Sequence, residues 1–148
     1  MTKILFICHG NICRSPMAEF IMRDMAEKQN RESDFYIESA AVSSEELGNP
    51  VHYGTAKILT KMGIDFSRKR ARKVTADDYE NFDLLICMDN SNVYRLNRIV
   101  GEDTDGKIKL MMDFTSRGGE VADPWYTGNF DDTLRDITEG CEGILSIY

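Results

Sequence analysis

With 148 residues, the chain is long enough to bury a hydrophobic core without disulfides, and we expect a single domain over residues 1–148. Its formal net charge of −7 argues against general binding to nucleic acid, whose phosphates attract basic surfaces. No stretch approaches the roughly 18 apolar residues of a membrane span, and the N-terminal apolar run is too short for a signal peptide. We therefore expect a cytoplasmic protein that binds no membrane.

Strand and helix patterns alternate along the chain. Apolar runs of β-forming residues predict strands at Lys3–Cys8, Phe35–Ala40, Asp83–Met88 and Lys107–Met112. Helical periodicity predicts helices at about Arg14–Gln29, Val51–Met62, Asn90–Val100 and Phe130–Ile147, with a shorter one near Thr75–Asn81. Near-continuous apolar strands in β-α-β order are typical of a parallel sheet covered on both faces. The sequence thus predicts an α/β three-layer sandwich, with a central four-stranded parallel sheet and helices on both faces.

The segment CHGNICRS, residues 8–15, joins the first predicted strand to the first predicted helix. A loop that enters a helix directs successive N–H groups inward, and the helix dipole adds positive potential, so its concavity suits a tetrahedral oxyanion. Gly10 and Asn11 tolerate the unusual φ values that a tight turn requires. Arg14 offers a planar fork to two phosphate oxygens. The segment is therefore predicted to be a phosphate-binding loop after the first strand.

Cys8 lies at the base of this loop, and the other cysteines stand at positions 13, 87 and 141. Reduced thiols are the default in the cytoplasm. The N–H dipoles of the loop and the guanidinium of Arg14 favour a thiolate at Cys8, which under a bound phosphate is a nucleophile. A lone cysteine ending an apolar strand is more often core packing, but the whole octet favours catalysis. The histidines and cysteines lack the paired spacing of a zinc site, so we expect no metal.

The string CHGNICRSP, residues 8–16, resembles the signature of the low-molecular-weight protein tyrosine phosphatase family. Further matches follow in order along nearly the whole chain, at residues 38–41, 48–50, 71–72, 87–89, 91–92 and 123–126. The resemblance implies a phosphatase that acts through a phosphocysteine without cofactors. Its substrates would be tyrosine-phosphorylated proteins or small phosphate monoesters, and we expect a monomer.

The resemblance also implies roles for individual residues. The catalytic residues would be the nucleophile Cys8, the phosphate ligand Arg14 and the general acid Asp123. Phosphate binding would fall to the loop, His9, Gly10, Asn11, Ile12, Cys13, Arg14 and Ser15. The hydrogen-bond support of that loop would come from Asn11, Ser15 and Ser39. The substrate cleft would be lined by His9, Ile12, Trp125 and Tyr126. A reversible Cys8–Cys13 disulfide that protects the nucleophile is a hypothesis that the family supports.

Several positions differ from many relatives or stand out in the sequence. His9 replaces a frequently apolar residue beside the substrate ring, and Glu45 and Glu46 lie where some relatives present an aromatic side chain. Lys69 stands where relatives often have a histidine that supports the loop. It belongs to a basic run, residues 68–73, which we interpret either as a solvated face or as a surface that steers acidic substrates.

Three alternative functions share parts of this pattern. An arsenate reductase of the same fold needs extra resolving cysteines, and Cys87 has no other cysteine near it in the sequence. A phosphoarginine phosphatase carries threonine where this chain has Ile12, and an apolar side chain favours an aromatic ester. A non-catalytic phosphate-binding module would not need both Cys8 and Asp123. The sequence therefore favours a phosphotyrosine phosphatase.

Overall fold

Four parallel strands form a sheet at the centre of the molecule. In the computed structural model, which describes residues 1–148, the strands are β1 (Thr2–Cys8), β2 (Phe35–Ala41), β3 (Leu84–Cys87) and β4 (Ile108–Leu110). Their order across the sheet is β2-β1-β3-β4, and every neighbouring pair is parallel. The predicted four-stranded parallel sheet is confirmed.

Six α-helices connect or follow the strands. They are α1 (Arg14–Lys28), α2 (Tyr53–Lys61), α3 (Ala76–Asn81), α4 (Asn90–Val100), α5 (Pro124–Thr127) and α6 (Phe130–Ile147). All except α5 correspond to predicted helices, with ends that agree within two residues. None of the helices combines the length and the apolar character that crossing a membrane requires.

Two stretches in the C-terminal half differ from the sequence-based expectation. The sequence predicts a fourth strand over Lys107–Met112, whereas β4 ends at Leu110 and residues 111–114 form a 3₁₀ helix. The chain turns there because the Asp113 carboxylate accepts a hydrogen bond from the Leu110 N–H at 3.0 Å. Helix α5 is not predicted from the sequence, because its four residues are too few to show a helical repeat.

Each face of the sheet has its own hydrophobic core, because successive strand residues point to opposite faces. Ile4 and Phe6 of β1 pack in the larger core, together with buried side chains of α1, α2 and α6. Leu5 and Ile7 belong to the smaller core on the other face, which includes side chains of α3 and α4. The predicted three-layer sandwich is confirmed.

The carboxyl ends of the strands bring three connecting segments to one edge of the sheet. The strand register pairs Cys8 with Ala41 of β2 and Ile7 with Cys87 of β3. The segment before α5 reaches the same edge, where the Val121 N–H donates to the Met88 carbonyl at 2.9 Å. A single cavity at this edge is therefore bordered by the β1–α1 loop, the β3–α4 turn and the segment before α5.

Two of the basic residues at positions 68–73 are bound to other parts of the chain. Arg72 forms ion pairs with Asp78 at 3.0 Å and with Glu38 at 3.2 Å. The ammonium group of Lys69 donates to the Ser39 carbonyl at 2.9 Å. These two residues anchor the segment to β2 and α3. The other three basic residues of the run are exposed, namely Arg68, Arg70 and Lys73.

The helix α6 packs closely against the 3₁₀ helix, and Gly143 makes this approach possible. A Cβ atom at Gly143 would lie 1.9 Å from the Phe114 carbonyl oxygen. We expect Gly143→Ala to lower the free energy of unfolding by about 1–3 kcal/mol through overpacking, although alanine alone favours a helix by about 1 kcal/mol over glycine. Urea unfolding measures this change.

The matched control is Glu142→Ala, an exposed neighbour on the same helix. It should change the free energy of unfolding by no more than about 0.5 kcal/mol. A Gly143→Ala variant as stable as the wild type would show that the close contact with Phe114 is absent.

Candidate active site

The β1–α1 loop surrounds the sulfur of Cys8 with hydrogen-bond donors. Asn11 adopts a left-handed conformation, with φ of 60°, and its backbone N–H points to the sulfur at 3.3 Å. The hydroxyl oxygen of Ser15, in the first turn of α1, lies 3.0 Å from the same atom. Both groups suit a negatively charged sulfur. Cys8 lines a cavity of about 520 Å³ that opens to the surface.

The side chain of Asn11 holds this loop from behind. Its amide nitrogen donates to the Ser15 hydroxyl at 2.8 Å and to the Ser39 hydroxyl at 2.9 Å. Because Ser15 accepts from Asn11, its own proton is free to point toward the sulfur of Cys8. The Asn11 side-chain oxygen accepts from the Arg72 N–H at 3.1 Å. These contacts use both ends of the amide and hold the left-handed turn in place.

A buried ion cluster completes the support behind the loop. The Ser39 hydroxyl donates to the Glu19 carboxylate at 2.5 Å, and Glu19 is only 4% exposed. Arg23 pairs with the same carboxylate at 2.8 Å, and the Lys69 ammonium lies 3.6 Å away. Burial lowers the pKa of Lys69, partly offset by the charge of Glu19. Lys69 is thus part of the support behind the loop.

Arg14 is the first residue of α1 and is 3% exposed. Its guanidinium pairs with the Asp89 carboxylate at 2.9 Å and with the Asp123 carboxylate at 3.4 Å, and it donates to the Val121 carbonyl at 3.2 Å. Burial alone would lower the pKa of Arg14, but the sulfur of Cys8 and the two carboxylates outweigh this effect and raise it. The guanidinium is therefore a fixed positive charge at the bottom of the cavity.

Asp123 is placed by the start of the short helix α5. It is the N-cap residue, and one carboxylate oxygen accepts from the Trp125 N–H at 3.0 Å. Pro124 occupies the first helical position, where its missing N–H leaves no unsatisfied donor. The other carboxylate oxygen faces Arg14, and the side chain is 23% exposed. This geometry presents a carboxyl group to the cavity while keeping it accessible to water.

The rim of the cavity carries the predicted substrate-cleft residues. His9 and Glu45 face each other at 3.0 Å between a ring nitrogen and a carboxylate oxygen. Trp125 and Tyr126 are 64% and 89% exposed, and the Trp125 ring meets the His52 ring edge-on at 4.8 Å between centroids. Ile12 is nearly buried on the loop side. Together they form a partly aromatic mouth over the sulfur.

The structure brings most of the sequence-predicted site residues into this one cavity. Its lining includes, from the predicted sets, Cys8, His9, Gly10, Ile12, Cys13, Arg14, Asp123, Trp125 and Tyr126. Asn11, Ser15 and Ser39 lie behind the loop instead and hold its shape. No group of three or more histidine, cysteine or acidic side chains is arranged to hold a metal ion.

The other three cysteines differ chemically from a nucleophile. All four cysteines are free and buried. Burial and the neighbouring Cys8 raise the pKa of Cys13 to about 12. Burial also raises the pKa of Cys87 and of Cys141 well above the ordinary range. These three side chains are therefore neutral thiols at pH 7, and the protective Cys8–Cys13 disulfide stays a prediction.

Two acidic residues of the site are absent from the sequence-based set. Asp89 caps α4, accepting from the Asn92 N–H at 2.8 Å, and turns its other oxygen to Arg14. Glu19 lies within the α1 pattern and supports Ser39. An N-cap aspartate directly after an apolar strand is a usable signal for Asp89. For Glu19 the only signal is a carboxylate on the buried side of a helix.

Known proteins resemble this chain over its whole length. The family model described as low molecular weight phosphotyrosine protein phosphatase matches residues 3–147. The low molecular weight protein-tyrosine-phosphatase YfkJ of Bacillus subtilis is 41% identical over 148 residues, covering 99% of this chain and 95% of that protein.

Solved structures agree with this similarity. The crystal structure of YfkJ superposes with a TM-score of 0.93, covering 99% of this chain and 93% of that one. SP-PTP, a low molecular weight protein tyrosine phosphatase from Streptococcus pyogenes, is 40% identical with a TM-score of 0.88, at 99% and 92% coverage. A Drosophila arginine phosphatase, DARP, is 30% identical with a TM-score of 0.88, at 99% and 98% coverage. The chain therefore belongs to the low molecular weight phosphotyrosine protein phosphatase family and is a cysteine-based, metal-independent protein-tyrosine-phosphatase.

Proposed function

We propose that Cys8, Arg14 and Asp123 carry out the hydrolysis of phosphotyrosine monoesters by this chain. The observation that carries the proposal is the shared cavity in which a sulfur, a buried guanidinium and a carboxyl group meet. Arg14 touches Asp123 directly, and Cys8 lies at the base of the loop that ends in Arg14. A nucleophile, an anion ligand and a proton donor within one cavity are what phosphate ester hydrolysis requires.

In the first step the thiolate of Cys8 attacks phosphorus. The bond between sulfur and phosphorus forms while the bond between phosphorus and the tyrosine oxygen breaks, and Asp123 gives its proton to the leaving phenolate. The loop N–H groups and Arg14 bind the equatorial phosphate oxygens, whose charge they stabilise most in the transition state. Asp89 keeps the guanidinium in place throughout.

In the second step the phosphocysteine is hydrolysed. Asp123, now a carboxylate, takes a proton from a water molecule that attacks phosphorus, and the sulfur leaves as a thiolate. The Ser15 hydroxyl and the Asn11 N–H, which point to the sulfur in the resting structure, stabilise that leaving group. Inorganic phosphate then departs, and Cys8 is ready for another substrate.

The shape of the mouth supports an aromatic substrate. Ile12, Trp125 and Tyr126 give apolar walls to a cleft whose floor is strongly polar. A phenyl ring between the phosphate and the protein surface fits that arrangement, because its faces pack on apolar and aromatic side chains. The substrates are accordingly tyrosine-phosphorylated proteins or small aryl phosphates.

We also propose that the enzyme is a monomer and works in the cytoplasm. All the groups that carry the reaction come from one chain, so no second copy is needed to complete the site. Four free cysteines, one of them the nucleophile, suit a reducing compartment. The net charge of −7 supports partners other than nucleic acid.

The role of Asp123 is tested by Asp123→Asn, because asparagine keeps the N-cap of α5 and has no proton to transfer. We expect kcat/KM for phenyl phosphate, a poor leaving group, to fall by about a hundredfold or more. For nitrophenyl phosphate the loss should be much smaller, since that phenolate leaves without protonation. Steady-state kinetics with both substrates measures the difference.

A matched control is Asp131→Asn, an exposed carboxylate at the start of α6. It should leave both values near those of the wild type. If Asp123→Asn slowed the two substrates by equal factors, Asp123 would not be the proton donor.

The substrate class is tested with peptides that carry phosphotyrosine, phosphoserine or phosphoarginine, and with arsenate plus thioredoxin. We expect kcat/KM for phosphotyrosine to exceed the others by about tenfold or more, because the apolar wall at Ile12 favours a ring. Ile12→Thr changes this wall alone and should narrow the preference. A wild-type enzyme that prefers phosphoarginine or reduces arsenate would contradict the phosphotyrosine assignment.

A further inference from the structure

Two buried side chains of α6 form hydrogen bonds with the backbone of the residue immediately before Asp123. The Thr133 hydroxyl donates to the Ala122 carbonyl at 2.7 Å. The Asp136 carboxylate accepts from the Ala122 N–H at 2.9 Å. The backbone N–H and the carbonyl of Ala122 are thus both hydrogen-bonded to side chains of the same helix. The two side chains are 0% and 3% exposed, so water does not compete for these bonds.

The carboxylate of Asp136 is itself held on its second oxygen. Arg117 donates to that oxygen at 2.6 Å and pairs with Glu139 at 2.7 Å. Burying a carboxylate is costly unless it is paired and hydrogen-bonded, and a neutral residue would fill the same space at less cost. The cost of burying the Asp136 carboxylate is therefore offset by its two contacts, with the Ala122 N–H on one oxygen and Arg117 on the other.

Val121, the residue before Ala122, is held by other parts of the molecule. The Val121 N–H donates to Met88 at the end of β3, and the Val121 carbonyl accepts from Arg14. Consecutive residues are in this way bound to α6, to the sheet and to the phosphate-binding arginine. Asp123 itself caps the short helix α5, in which Pro124 is buried, whereas residues 125–129 are all exposed. The backbone of Asp123 is therefore held by the contacts that precede it together with the α5 turn.

We propose that Thr133 and Asp136 are positioning residues for proton transfer by Asp123, acting through the backbone of Ala122. The inference rests on the proposed function, in which Asp123 is the general acid. Because Ala122 is joined directly to Asp123, a shift of that peptide displaces the carboxyl group relative to the leaving oxygen. Displacements of about 1 Å are enough to slow a catalysed step by about a hundredfold. Thr133 and Asp136 do not line the cavity, so they reach the reaction only through the backbone segment that carries Asp123.

The test compares leaving groups in Thr133→Val, which keeps the shape of the side chain and removes the donor. We expect kcat/KM for phenyl phosphate to fall by between about tenfold and a hundredfold, while nitrophenyl phosphate is affected little. Asp136→Leu, which has no acceptor for the Ala122 N–H, should give the same pattern by a separate contact. Thr133→Ser, which retains the hydroxyl, should restore the ratio of the two rates toward the wild-type value.

A double-mutant cycle separates positioning from general stabilisation. In the Asp123→Asn background, Thr133→Val should cause no further change in the leaving-group ratio, because the proton donor is already gone. Thr138→Val makes the same substitution elsewhere on α6 and should leave the ratio unchanged. Thermal unfolding of each variant shows whether it is folded under the assay conditions.

The outcomes distinguish this inference from the function on which it rests. If Asp123→Asn changes the ratio but folded Thr133→Val and Asp136→Leu variants do not, the positioning role is wrong and the proposed function stands. If Asp123→Asn itself leaves the ratio unchanged, both are overturned. A lower melting temperature of the α6 variants with an unchanged ratio would mean a structural role alone.

Discussion

The buried guanidinium of Arg14 is the interaction on which the whole site depends. It joins the start of α1 to Asp89 at the cap of α4 and to the segment that carries Asp123. These three elements follow different strands and would otherwise be separate loops. Removing one partner of such a buried ion pair costs about 3–5 kcal/mol, because the remaining charge is left uncompensated. The positive charge that we propose to bind phosphate thus also joins the walls of the cavity.

The rest of the polar architecture serves the sulfur of Cys8 and the carboxyl group of Asp123. Behind the loop, the Asn11 amide donates to the Ser15 and Ser39 hydroxyls and so sets their direction. The Ser39 hydroxyl in turn donates to the Glu19 carboxylate. On the other side, α6 fixes the backbone before the acid. Each network is buried and has its donors and acceptors matched, and such networks hold groups within tight geometric limits. The two networks come from different elements, and Arg14 is the residue that joins them.

Much of the fold and the centre of the site could be predicted from local sequence. The apolar strands and periodic helices predict the sheet and both layers, and the octet at residues 8–15 carries its own chemistry in consecutive residues. What could not be predicted depends on contacts between distant residues. Asp113 ends β4 through its side chain, and Asp89 and Glu19 acquire partners only when the chain folds. Thr133 and Asp136 look like any polar residues of an amphipathic helix until α6 lies against Ala122.

We propose that Cys8 and Arg14 share one phosphate site, and alkylation of the cysteines by iodoacetamide tests this arrangement. The reagent is uncharged, so replacing the guanidinium does not change its attraction to the site. We expect Cys8 alone to be modified at neutral pH, since the other three cysteines are neutral buried thiols. Inorganic phosphate should slow that modification in the wild type and far less in Arg14→Lys, as peptide mass spectrometry would show. Equal protection in both proteins, or modification spread over all four cysteines, would overturn the shared phosphate site.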